Sequence, residues 1–156
     1  MLSVRETVKR FIESEGHKVD ATPIDPDTGS SELLFRTRGQ VFSVTTNEGD
    51  ERTLSISTAY EIPEWAREPD QNAEALERAR KDHPTVTFTL AHDGSLFVAT
   101  LDQEAESTQE LMHAFWILVS RLRDAGTQAV EDIVDRTESK AAAEKFINSF
   151  MMGDGQ

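Results

Sequence analysis

The stretch that decides the fold is Arg52-Thr53-Leu54-Ser55-Ile56-Ser57-Thr58-Ala59-Tyr60-Glu61-Ile62. Side chains alternate across a strand, so Leu54, Ile56, Tyr60 and Ile62 share one face while Ser55, Ser57 and Ala59 share the other. A strand that is apolar on one side only fits an antiparallel sheet with one packed and one wet face. Strands of a parallel sheet are covered on both faces and read as unbroken apolar runs.

Upstream, Glu32 to Arg38 and Gln40 to Thr46 are also β-type runs, with Arg38-Gly39 and Asn47-Glu48-Gly49-Asp50 as the turns of a meander. The segment Asp20 to Ser31, with Pro23, Pro26 and Gly29, reads as a connecting loop. Downstream, Val86, Phe88 and Leu90 alternate with Thr85, Thr87 and Thr89, and Asp93-Gly94 turns the chain into a strand from Ser95 to Leu101. This second hairpin repeats the one-sided pattern and brings the expected strand count to five.

Helices flank these runs. Ser3 and Glu6 have capping-box spacing, and Val4, Val8, Phe11 and Ile12 recur at helical intervals until Gly16. Asp70 or Asn72 can cap a helix through Ala73 to Lys81 that ends before Pro84, with a thin stripe of Ala75, Leu76 and Ala79. Ser107 and Glu110 repeat the capping box ahead of the best stripe in the chain, Leu111, Phe115, Leu118, Leu122 and Ala125. Gly126 can end that helix or be absorbed by it, because Val130, Ile133 and Val134 continue the period toward a last segment, Ser139 to Met152. One, two or three C-terminal helices stay open. The expected architecture is a two-layer α+β domain, a mostly antiparallel five-stranded sheet with helices on one face, in the order α-β-β-β-α-β-β-α. Residues 1–137 form that domain and 138–156 a C-terminal helical extension.

With 156 residues the chain is long enough for one core, and its 37% hydrophobic content suffices to fill it. The net charge of -13 repels nucleic-acid phosphates and anionic lipid, so neither nucleic acid nor membrane is an expected partner. The same field suits a basic protein segment, and it also serves solubility. No cysteine is present, which removes disulfides and thiolate chemistry. The first residues carry charges where a secretory signal needs an apolar run, and the longest apolar stretch, Ala114 to Val119, is too short to span a bilayer, so a cytoplasmic address is expected.

Chemistry finds little to build on. His17, His83, His92 and His113 stand in no metal-ligand spacing, and no cofactor or metal is expected. Asp25-Pro26-Asp27-Thr28-Gly29 superficially resembles a calcium loop, yet its glycine falls one place early and Arg36 stands where the bidentate Glu belongs. The carboxylates Glu48, Asp50 and Glu51, and Glu104 and Glu106, lie beside turns and helix starts, where solvated charges are usual. No phosphate-cradling glycine motif and no nucleophile elbow occurs. No catalytic residue is assigned, and the chain reads as a non-enzyme.

Binding is the stronger reading. Trp65 stands in the irregular Pro63 to Pro69 segment, and the stripe of Leu76 and Ala79 is too thin to bury its helix deeply. At the C-terminus Phe146, Ile147, Phe150, Met151 and Met152 crowd an alanine-rich helix and must dock on the domain, pair with a second subunit or bind something else. Trp65, Leu76, Ala79, Phe150 and Met151 are therefore the candidate partner-binding residues, and Ser55, Ser57, Thr85, Thr87 and Thr89 form a hydroxyl face that needs no partner.

The first helix (Val4, Val8, Phe11, Ile12), three strands, weak middle helix, Val86 to Leu101 hairpin and long final helix from Ser107 together resemble the YbjN family and the type III secretion chaperone-like superfamily, over residues 3 to 135. The resemblance implies a compact, often homodimeric bacterial α+β fold whose surfaces hold extended peptide segments, with no catalytic residues to transfer. Residues 138 to 156 extend past that pattern. The expected function is a non-enzymatic protein- or peptide-binding, chaperone-like module. The alternatives are a small-molecule-binding domain or small enzyme with a scattered polar site near His113 and Glu110, and a structural or regulatory dimer.

Overall fold

A computed structural model describes residues 3–154, with side chains except those of residues 51, 146 and 148–154. Helix α1 (Val4–Ser14) leads into β1 (Val19–Ala21), β2 (Ser30–Thr37), β3 (Gln40–Asn47) and β4 (Asp50–Glu61). A 3-10 turn (Glu64–Ala66), helix α2 (Pro69–Asp82), strands β5 (Val86–Leu90) and β6 (Leu96–Glu104) and helix α3 (Thr108–Asp154) complete the chain. The strands form one sheet in the order β1-β2-β3-β4-β6-β5, antiparallel at every pairing.

The α+β class and the one-sided packing match the sequence expectation, while the strand count is six rather than five. The additional strand is β1, inside the expected loop. It spans three residues and pairs Val19 with Phe35 and Ala21 with Leu33. Its brevity and the prolines that follow hide it from periodicity.

Register lines the apolar residues of all six strands into two transverse rows. One runs Val19, Phe35, Phe42, Thr58, Ala99, Phe88, and the next Ala21, Leu33, Val44, Ile56, Leu101, Val86. Apart from half-buried Ala21 every member is buried. Thr58 is the polar exception and is satisfied: its hydroxyl donates to the Val41 carbonyl at 2.8 Å and accepts from Gln40 Nε2 at 2.8 Å.

Three helices cover these rows side by side, α1 over β1 to β3, α3 over β4 and β6, and α2 over β5. Both expected capping boxes contribute: Ser3 Oγ accepts from the Glu6 amide at 3.1 Å, and Ser107 Oγ from the Glu110 amide at 3.2 Å. The middle helix starts differently from expectation, at Pro69, with its N-cap Glu68 making no side-chain cap bond. Asn72 is turned inward instead, its Nδ2 donating to the Ala66 carbonyl at 2.8 Å and tying α2 to the 3-10 turn.

The open question about Gly126 is settled by one 47-residue helix running through it. At about 1.5 Å per residue α3 is about 70 Å long. Gly126 is buried, and the Tyr60 ring lies where a Cβ on Gly126 would project. Tyr60 stacks on Phe97 at 5.2 Å and donates its hydroxyl to the Arg123 carbonyl at 3.1 Å. The glycine is thus a notch that lets α3 seat on the sheet. Among the described side chains of α3 the last fully buried one is Ile133, and residues 138–145 are exposed. No helix among the described residues is long and apolar enough to cross a membrane.

Two predictions follow from the notch. Gly126→Ala ordinarily strengthens a helix by about 1 kcal/mol, but here overpacking against Tyr60 reverses the sign, for a net loss of about 1–3 kcal/mol in urea unfolding. Combining it with Tyr60→Ala relieves the clash, so the two losses are less than additive; a stabilised Gly126→Ala protein contradicts this seating. Burial also raises the Tyr60 phenol above its ordinary value of 10.0. The unfolded chain then releases this proton first, so stability falls as pH climbs past about 10. Tyr60→Phe should flatten the fall measured from about pH 9 to 11, and an unchanged slope excludes this contribution.

Candidate functional site

The sheet offers few open backbone groups. Beyond three-residue β1, the Thr22 and Asp25 amides go on to satisfy the Glu32 and Ser30 carbonyls of β2. At the other edge β5 is five residues long, and the Arg80 guanidinium of α2 donates to the Phe88 carbonyl at 2.5 Å. Short, capped edges are poor templates for an added strand. The open sheet face is largely hydroxyl-bearing: Ser57 and Thr100 bond to each other at 3.0 Å, and Ser43 donates to Glu32 at 3.3 Å. Val41, 45% exposed, lines with Ala59 and Val98 a chiefly apolar hollow of about 470 Å³ across it.

The helical layer carries two adjoining hollows. Helix α2 runs antiparallel to α3, joined at one end by Lys140 Nζ and Glu68 Oε2 at 3.3 Å and at the other by His83 Nε2 and Gln128 Oε1 at 2.6 Å. Between the helices lies a hollow of about 300 Å³ that includes Ala79 and Ala129 and is rimmed by Asp82, Asp132 and Asp135. Past the end of α2 a second hollow of about 520 Å³ follows α3 along Trp116, Ile117, Ser120 and Asp124. His83, bonded to Gln128, lines both, so the two hollows adjoin there in a trough along the flank of α3.

Its apolar end exists because of helical phase. Leu111, Phe115, Leu118 and Leu122 point at the sheet, which leaves Ile117 outside the buried stripe and 62% exposed. Trp116 is half-buried in the seam with α1, 5.0 Å from His17 and from Phe115 and 6.4 Å from Phe11 by ring centroids. At the acidic end Asp132 pairs with Arg136 at 3.2 Å. Among the described residues Asp82, Asp124, Glu131 and Asp135 make no ion pair.

The candidate residues from sequence scatter across this frame. Trp65 is 56% exposed on the 3-10 turn. Leu76 is buried in the core, and Ala79 is buried yet borders the hollow between α2 and α3. The side chains of Phe150 and Met151 lie outside the described residues. Ile117, His83 and the carboxylates of α3 were missed; the off-stripe phase of Ile117 was the available signal.

Near His113, the Glu110 carboxylate accepts the Glu106 amide at 3.0 Å as part of the helix start. Asp25 accepts the Asp27 amide at 2.8 Å within a turn. The exposed carboxyls of Asp50 and Asp93 are held below their ordinary range, Asp50 chiefly by the Arg52 amide and Asp93 chiefly by the Ser95 hydroxyl. These are turn roles. No group of three or more possible ligands among the described residues is arranged to hold a metal ion.

Two solved structures with TM-scores above 0.5 share this architecture. YbjN from E. coli, a candidate transcription regulator, superposes with a TM-score of 0.55 at 13% identity, over 87% of this chain and 97% of its own. The chain has the YbjN fold. An uncharacterized protein from Methanothermobacter thermautotrophicus superposes with a TM-score of 0.62 at 16% identity, over 86% of this chain and 99% of that one. The HopA1-SchA chaperone-effector complex aligns with a TM-score of 0.45 at 17% identity, over 80% of this chain and 94% of the matched chain. At these identities the likeness concerns fold alone. No family model and no curated protein matches the sequence.

Proposed function

We propose that this chain is a non-enzymatic protein-binding module that holds a segment of another protein against its helical layer. The observation that carries the reading is the trough, in which exposed Ile117 and half-buried Trp116 lie beside a groove between two helices. Burying an isoleucine side chain contributes about 1.5–3 kcal/mol, enough for one anchor of an interface. A segment laid along α3 would bury that anchor at one end and meet a polar rim at the other, the usual anatomy of helix-in-groove recognition. The short edge strands β1 and β5, the latter with its Phe88 carbonyl bonded by Arg80, favour this surface over strand addition.

A photo-reactive residue at position 117 should give adducts with a protein partner in native extract, whereas one at position 57 on the open sheet face should not. Ile117→Asp should abolish retention of that partner while changing stability by no more than about 0.5 kcal/mol, because the side chain is exposed. Adducts from position 57 alone, or from neither position, contradict the proposal.

The exposed end of α3 supports a second reading, homodimer formation. Residues 138–145 are exposed and touch the domain through the Lys140–Glu68 pair, Ile147 is 53% exposed, and isolated helical ends are marginal in water without tertiary support. Light scattering should then give twice the chain mass for the full chain and a monomer after truncation at Thr137. A monomeric full chain at high concentration excludes it.

A further inference from the structure

We propose that the occupant of the trough is a basic amphipathic segment, apolar where it meets Trp116 and Ile117 and carrying arginine or lysine where it meets Asp82, Glu131 and Asp135. This inference rests on the helical layer being the binding surface and goes beyond it by assigning the chemistry of the partner.

Three observations carry it. First, the two ends of the trough differ in kind. The end around Trp116 and Ile117 is chiefly apolar, and the end around Ala79 and Ala129 is rimmed by carboxylates. Second, the acids there are uncommitted: Asp82, Asp124, Glu131 and Asp135 make no ion pair among the described residues, against unpaired Arg78 and Arg121. Local charge is therefore negative even after the Asp132–Arg136 pair is set aside. Third, α2 ends in the trough at His83. The C-terminus of a helix presents unsatisfied carbonyls and the negative end of its macrodipole, which favours a cation beside it. The net charge of -13 then attracts the same segment from a distance.

Geometry sets the spacing the partner must show. Ile117 and Asp135 are 18 residues apart on one helix, a separation of about 27 Å at about 1.5 Å per residue. A helical segment parallel to α3 must therefore place its apolar anchor and its last basic residue about five turns apart, and an extended segment about eight residues apart.

The test uses the isotope-labelled full chain and three synthetic alanine-rich helical peptides of about 20 residues. The first carries two leucines near one end and three arginines near the other, the second replaces the arginines by glutamates, and the third replaces the leucines by serines. The arginine peptide should shift amide resonances in residues 78–83 and 116–136. It should bind at least about tenfold tighter than either control and weaken about tenfold between about 0.05 and 0.5 M salt. Asp82→Asn with Asp135→Asn should weaken it about fivefold, and the surface placement of both residues keeps the protein folded, as circular dichroism will verify. Equal binding of the arginine and glutamate peptides overturns the charge assignment while leaving the trough as a binding surface. Equal binding of the serine peptide overturns the apolar anchor. Shifts confined to the open sheet face, or no binding of the arginine peptide, overturn the proposal outright. In those two cases the adducts at position 117 separately decide whether the helical layer binds protein at all.

Discussion

The architecture depends on seating a very long helix against a sheet that buries only one of its faces. Two transverse rows of side chains, running from Val19 to Phe88 and from Ala21 to Val86, demand cover on one side only. Helix α3 supplies the centre of that cover, and it comes close enough because Gly126 admits the ring of Tyr60. Helices α1 and α2 fill the flanks. Among the described residues Thr46 Oγ1, Trp116 Nε1, Arg5 Nε and Arg123 Nε are buried without a hydrogen-bond partner, whereas several polar groups trapped by this packing are partnered: Thr58 with Val41 and Gln40, Asn72 with Ala66, Tyr60 with Arg123. Such satisfied pairs let a small core tolerate polar residues.

Function follows from what this arrangement leaves outside. The wet sheet face carries hydroxyl side chains, some of which bond to one another, beside an apolar patch of Val41, Ala59 and Val98, and the edge strands β1 and β5 are short. Three helices laid side by side create grooves, and where α2 stops at His83 a groove widens onto exposed Ile117.

Much of this was legible in the sequence. Alternation in Arg52 to Ile62 and Thr85 to Leu90, the turns at Gly39 and Gly94, and the capping serines at 3 and 107 all locate real elements. Local chemistry specifies them, so local reading finds them. What escaped depends on distant residues. Strand β1 has three residues and exists because β2 offers a free edge. The continuity of α3 through Gly126 depends on Tyr60, brought there by the sheet. The trough joins residues 78–83 to residues 116–136, and no periodicity within either helix reveals that they face one another. Trp65, Leu76 and Ala79, chosen for composition, lie on three different surroundings: an exposed turn, the core and a groove margin.

Hydrogen exchange on the full chain, alone and bound to the protein it retains from native extract, tests the central claim most directly. Slowed exchange should concentrate in α2 from residue 78 to 82 and in α3 from residue 116 to 136, with β3, β4 and β5 unchanged. Protection confined to the open sheet face or to the β5 edge, with the helical layer unaltered, would contradict the account.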